Sequence, residues 1–103
     1  MKRTIAIVCG GDTSEFEVSE PSAQGIYSFI DKERYTLYIV EMRGTHWHVQ
    51  LPDGTKTPVD RNDFSFRLDG AKVVFDFAYI TIHGTPGEDG RLQGYFDMLH
   101  IPY

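Results

Sequence analysis

Apolar positions along the chain fall into runs of two kinds, continuous and periodic. Residues 3–9 (RTIAIVC), 35–42 (YTLYIVEM) and 77–82 (FAYITI) are almost uninterruptedly apolar, β-branched or aromatic, as strands covered on both faces require. Between the first two, Ala23, Ile26, Tyr27 and Ile30 recur at three- and four-residue spacing, which draws one face of a helix. Ser19 is a good N-cap, and Pro21 is tolerated in a first helical turn, where its missing N–H would have no partner anyway. The pattern therefore predicts a polar loop over 12–19, a helix from 19 to about 31, and a βαβ unit closed by 35–42. From 44 the period changes to two. Trp47, Val49 and Leu51 alternate with polar residues, Pro52-Asp53-Gly54 turns the chain, and 55–59 can return as a hairpin. Phe64, Phe66 and Leu68 alternate again before an Asp69-Gly70 turn and 71–75. These short pieces read as an insertion decorating the sheet. Leu92, Tyr95, Phe96 and Leu99 then predict a last helix over 91–99. The sum is one three-layer α/β domain over 1–103, with a mainly parallel, Rossmann-like sheet and a β-hairpin insertion at 44–72.

Composition narrows the function classes. The chain has 103 residues, enough for one domain, and 41% hydrophobic content can fill a core. Its net charge of −5, with no basic stripe, argues against nucleic acid as a partner. Cys9 is the lone cysteine, which excludes an internal disulfide, fits a reducing compartment and suits core packing. The apolar run behind Met1-Lys2-Arg3 is too short for a signal peptide and stops at Gly10-Gly11-Asp12. No run reaches membrane-spanning length, so a soluble cytoplasmic protein without a membrane partner is expected. Ile101-Pro102-Tyr103 follows the last helix with no polar stop, and the chain is expected to be a piece of a longer protein.

Chemistry concentrates in two loops, 10–19 and 83–90, each at the carboxyl end of a core strand, where open α/β sheets bind ligands. If those strands lie side by side, Glu15 and His83 share one crevice. A carboxylate there suits a cationic group such as an ammonium; at an effective dielectric of ~20 and a separation of about 4 Å the pair is worth roughly 4 kcal/mol before desolvation. Equally, Glu15 reads as an exposed acid near a helix start, where the macrodipole favours it. His83 can donate to an anionic oxygen or orient Glu15, or simply satisfy loop backbone groups. Glu88 can lock His83, and Asp89 is a natural N-cap for the last helix. His46 and His48 share a strand face at a spacing used by metal ligands, but no third ligand stands near, so no metal site is expected. The Gly10-Gly11 pair lacks the G-x-G-x-x-G spacing of a dinucleotide site, and allows positive φ or close backbone approach.

These residues resemble the D-alanine–D-alanine ligase family. Segment 83–94 (HGTPGEDGRLQG) matches that family's N-terminal signature at every fixed position. Segment 10–19 (GGDTSEFEVS) resembles its first loop, a glycine pair followed by Ser-x-x-Glu-Val-Ser, and 98–103 (MLHIPY) fits its continuation. The resemblance implies an ATP-grasp enzyme of cell-wall synthesis that joins two D-alanines with ATP and Mg²⁺, through an acyl phosphate, for peptidoglycan and cell shape. It also implies that Glu15 holds the first D-alanine's ammonium as the catalytic acid. Val18 would line the methyl pocket, and His83 would sit beside the same substrate. Ser19 and Glu88 would stand behind these residues, Glu88 supporting His83. Phe16 occupies a position often polar or basic in the family and should point away from Glu15. Residues 1–103 would be the N-terminal, pre-ATP-grasp substrate domain, with the ATP-grasp domains beyond Tyr103. This stretch alone would then bind neither ATP nor Mg²⁺ and be inactive. A homodimer is the assembly the family implies, with helix 19–31 as a candidate surface. Two alternatives stay open: a ligase that takes D-lactate or D-serine second, and a non-catalytic α/β ligand-binding module.

Overall fold

A computed structural model describes residues 2–10, 15–43, 46–81 and 91–103, with side chains for all of these except 15–20 and 91. The elements in chain order are β1 (Arg3–Gly10), α1 (Glu15–Phe29), β2 (Tyr35–Arg43), β3 (His46–Gln50), β4 (Lys56–Pro58), β5 (Ser65–Leu68), β6 (Ala71–Val74), β7 (Phe77–Ile80) and α2 (Arg91–Met98). The main sheet has the order β4-β3-β2-β1-β7, and β5 and β6 form a separate two-stranded sheet. β1 lies parallel to both β2 and β7, whereas β2 pairs antiparallel with β3, and β3 with β4.

The sheet is therefore mixed, which corrects the expectation of a mainly parallel one. The first hairpin does not decorate the sheet; it supplies two of its five strands. The cause is chain length. β2 ends at Arg43 and β3 starts at His46, and so short a connection permits only an antiparallel return, because a parallel one needs a crossover of a dozen or more residues. The β5–β6 pair does stand apart, joined by Asp69 (φ 52°) and Gly70 (φ 83°). Two positive φ values in a two-residue loop make a type I′ turn, the geometry an Asp-Gly pair favours.

Side chains alternate across the strands and build a core on each face of the sheet. On one face Ile7, Cys9, Leu37 and Ile39 pack with Ala23, Ile26, Tyr27 and Ile30 from α1 and the residue after it. On the other, Ala6, Val8, Val40, Met42, Val49 and Ala78 are covered by Phe64, Phe66 and Phe75 from the second hairpin and by Leu92 and Phe96 from α2. Phe64 links these pieces, with ring centroids 4.9 Å from both Phe75 and Phe96. Among the described residues, no helix is long and apolar enough to cross a membrane.

α1 begins at Glu15, four residues before the N-cap predicted at Ser19, so Ser19 lies inside the helix and Pro21 sits in its interior. Sequence carries the competing signal: Ser14-x-x-Glu17 has the form of a capping box. An interior proline costs a helix about 3 kcal/mol in isolation. Here Pro21 is on the exposed side, and the apolar face of α1 is buried against the sheet.

Candidate functional site

The candidate site is one edge of the main sheet, where β1, β2 and β7 end. β1 and β7 pair directly and in parallel, with Val8 opposite Ile80, so both exits leave the sheet side by side. Thr81 fastens them: its backbone N–H and its hydroxyl both donate to the Val8 carbonyl, at 2.8 and 2.7 Å. Thr81 is buried. On the other flank Gly10 lies opposite Met42 at the end of β2, with φ +130°. A Cβ at Gly10 would overlap the backbone carbonyl of Met42. Only glycine fits, which gives the first of the two glycines a steric reason.

Glu15 opens α1 from this edge, and Val18 and Ser19 follow within its first turns. Their side chains are outside the description, as are His83 and Glu88 altogether. In the described frame the strands that precede these two segments in the sequence, β1 and β7, are adjacent and parallel. His46 and His48 lie on β3, opposite Arg43 and Glu41. Among the described residues, no three His, Cys, Asp or Glu side chains come together as a metal set.

Sequence reasoning passed over a polar network just beneath this edge. Glu41 is 4% exposed, the one charged side chain in the described core. It lies next to Cys9 across the β1–β2 ladder, and alternation puts it on the α1 side of β2 with Leu37 and Ile39. Lys56 Nζ is 2.7 Å from its Oε2, and Gln50 Nε2 donates to the same oxygen at 3.0 Å. Gln24 of α1 donates in turn to Gln50 Oε1 at 3.4 Å. A readable signal existed: a glutamate near the end of an otherwise apolar strand needs a buried partner. A groove lined by Gln24, Tyr27, Ile39, Gln50 and Pro52 lies further along the same face, away from Glu15, and is not the candidate site.

On the opposite face Tyr95 donates to the Arg61 carbonyl at 2.6 Å. Burial, with Asp63 nearby, pushes its hydroxyl up to about 12. The Lys72 ammonium, followed by the Ser65 hydroxyl, holds Asp63 below the usual carboxylate range. These groups tie the second hairpin to α2 and do not face the candidate edge.

The D-ala D-ala ligase N-terminus family matches residues 4–103. A D-alanine–D-alanine ligase of Bacteroides thetaiotaomicron is 84% identical over 103 residues, all of this chain and 32% of that protein. The crystal structure of D-alanyl-alanine synthetase A from Vibrio cholerae superposes with a TM-score of 0.81 at 34% identity, over 99% of this chain and 30% of that one. A D-alanine–D-alanine ligase from Bacillus anthracis complexed with ATP has a TM-score of 0.65 at 29% identity, over 100% of this chain and 28% of that one. The chain spans about a third of the length of the curated relatives it matches.

Proposed function

This chain belongs to the D-alanine–D-alanine ligase N-terminal family, and from that membership we propose that it forms one wall of the first D-alanine site of an ATP-dependent ligase. The observation that supports this reading most is the direct parallel pairing of β1 with β7, the two strands that precede the Glu15 and His83 segments in the sequence. In the proposed site Glu15 holds the ammonium of the first D-alanine, and Val18 lines the pocket for its methyl group. His83 lies beside the substrate with Glu88 supporting it, and Ser19 backs the first turns of α1.

ATP with Mg²⁺ supplies the phosphoryl group that activates the first D-alanine's carboxylate. The amine of the second D-alanine then attacks the acyl carbon and phosphate leaves. The groups that handle ATP and Mg²⁺ are assigned to the remaining length of the relatives, and residues 1–103 act as the pre-ATP-grasp substrate domain. What this domain contributes is orientation: a fixed anion for the ammonium keeps the carboxylate pointed at the phosphoryl donor, and fixed geometry of this kind lowers the barrier. The dipeptide would serve peptidoglycan synthesis and cell shape in the cytoplasm, in an enzyme that acts as a homodimer.

The test places residues 1–103 in the corresponding third of the Bacteroides thetaiotaomicron relative. The chimera should make D-alanyl-D-alanine from D-alanine and ATP. Glu15→Ala should weaken the first site by roughly thirtyfold or more, the lower end of the 2–5 kcal/mol cost of truncating a buried charge pair. Unchanged affinity and rate at that site would remove the assigned role. Supplying D-lactate or D-serine beside D-alanine and analysing the products fixes the second substrate.

A further inference from the structure

Glu41 is buried, negatively charged and spent on groups of its own chain, yet it lies at the same sheet edge as the proposed substrate site. Resting on the reading of that site given above, we propose that Glu41, held by Lys56, is a positioning residue for the start of α1 and thereby for Glu15.

Three contacts define the device. Glu41 and Met42 are consecutive on β2, and Met42 is the residue against whose carbonyl Gly10 is pressed. The end of β2 therefore fixes the last residue of β1, Gly10. The Glu41 carboxylate accepts from Lys56 of β4 and from Gln50 of β3, so its orientation is set by the neighbouring hairpin. Gln50 passes the connection to Gln24, one residue after Ala23, which is buried against Cys9 and Ile39. One carboxylate thus joins the β2 terminus, the β3–β4 hairpin and, through Gln50, α1 at Gln24, so that the rotation of the whole helix carries the effect to Glu15 at its other end.

Burial makes the arrangement more than a surface ion pair. The Glu41 side chain is 6% exposed, whereas that of Lys56 is 53% exposed. An apolar residue at 41 would serve the core as well, because a buried ion pair is weak evidence for stability and is often replaced by apolar groups without loss. What a pinned carboxylate adds is direction. It sets the rotation of the hairpin and of α1 against the strand end, and a shift of about 1 Å at a reacting group can cost on the order of a hundredfold in rate.

The chimeric ligase described above tests this. Lys56→Met removes the partner, Lys56→Arg keeps the charge, and Gln24→Leu severs the helix link on an exposed position without leaving a buried charge. Initial rates are measured while the first and second D-alanine sites and ATP are titrated separately, with thermal melting alongside. Lys56→Met should raise KM at the first site by about tenfold, within the range that misplacement produces, and leave KM for ATP and for the second site within about twofold. Gln24→Leu should move the same constant in the same direction by a smaller factor, and Lys56→Arg should restore most of it. The proposal is overturned if folded Lys56→Met or Gln24→Leu keeps its first-site KM, or if all three constants rise together. Should Lys56→Met fail to fold, Gln24→Leu decides alone. Glu15→Ala is run in parallel: loss at Glu15 without loss at Lys56 sinks only the positioning role, and no effect at Glu15 sinks the site reading itself.

Discussion

Gly10 shows how a single backbone position sets the geometry of a whole edge. Its φ of +130° and the carbonyl of Met42 leave no room for a Cβ. Gly10→Ala should cost about 3 kcal/mol or more, the strain and overlap added together. That corresponds to a melting point lower by roughly 12 °C or more in a domain of this size, read by calorimetry. Tyr95 gives a second prediction. Burial raises its hydroxyl from 10.0 to about 12, so the folded state keeps a proton that the unfolded state releases. The stabilisation is fully present below pH 10 and is lost as pH rises from 10 to 12. Tyr95→Phe should make that decline shallower when urea midpoints at pH 9 and 11 are compared. Tyr103, raised in the same direction by burial and by Asp97, would account for part of what remains. At this scale the sequence was only partly legible. Two glycines announced a close approach, but not which one needed it or against what. Thr81 looked like one more strand residue, because nothing local reveals that its hydroxyl turns back to Val8.

Elements were legible where packing follows a period. Every apolar run read as a strand contains one, and Ala23, Ile26, Tyr27 and Ile30 do face a common core. The start of α1 lies ahead of the boundary that Ser19 and Pro21 predict, because tertiary burial of the apolar face outweighs an interior proline. Glu15 thereby becomes the first residue of a helix rather than part of a loop. The second hairpin was legible down to its turn. In that turn Gly70, at φ +83°, has open space around a Cβ, so Gly70→Ala should cost only the strain of the left-handed conformation, about 1 kcal/mol. The expected signature is a lower denaturant midpoint with an unchanged slope. A larger loss would mean that the turn also governs how Phe66 and Phe75 stack.

The order of the strands was the least legible property of the molecule. A strand's own residues say that both of its faces are covered, but not which neighbour lies beside it, and the short alternating pieces from Trp47 to Leu51 read as decoration although they belong to the sheet. The two segments 10–19 and 83–94, by contrast, carry the family resemblance whatever the strand order, and the family match over residues 4–103 bears it out. At this scale the expectation is a division of labour: residues 1–103 on their own should show no D-alanine-dependent ATP turnover, while the chimera should, in a coupled ADP-release assay with both proteins at equal concentration. Among the described residues the same strand order leaves two outer strands, β4 and β7, whose outward backbone groups could recruit a strand from another molecule. β4 answers with brevity, a lysine and a proline, Lys56 and Pro58 within three residues. β7 answers with its own chain: the N–H of Ala78 is already taken by the carbonyl of Pro102. Lys56 thus serves twice, pairing with Glu41 and keeping a half-exposed polar side chain on an outer strand, so Lys56→Met should also raise light scattering as the protein is concentrated.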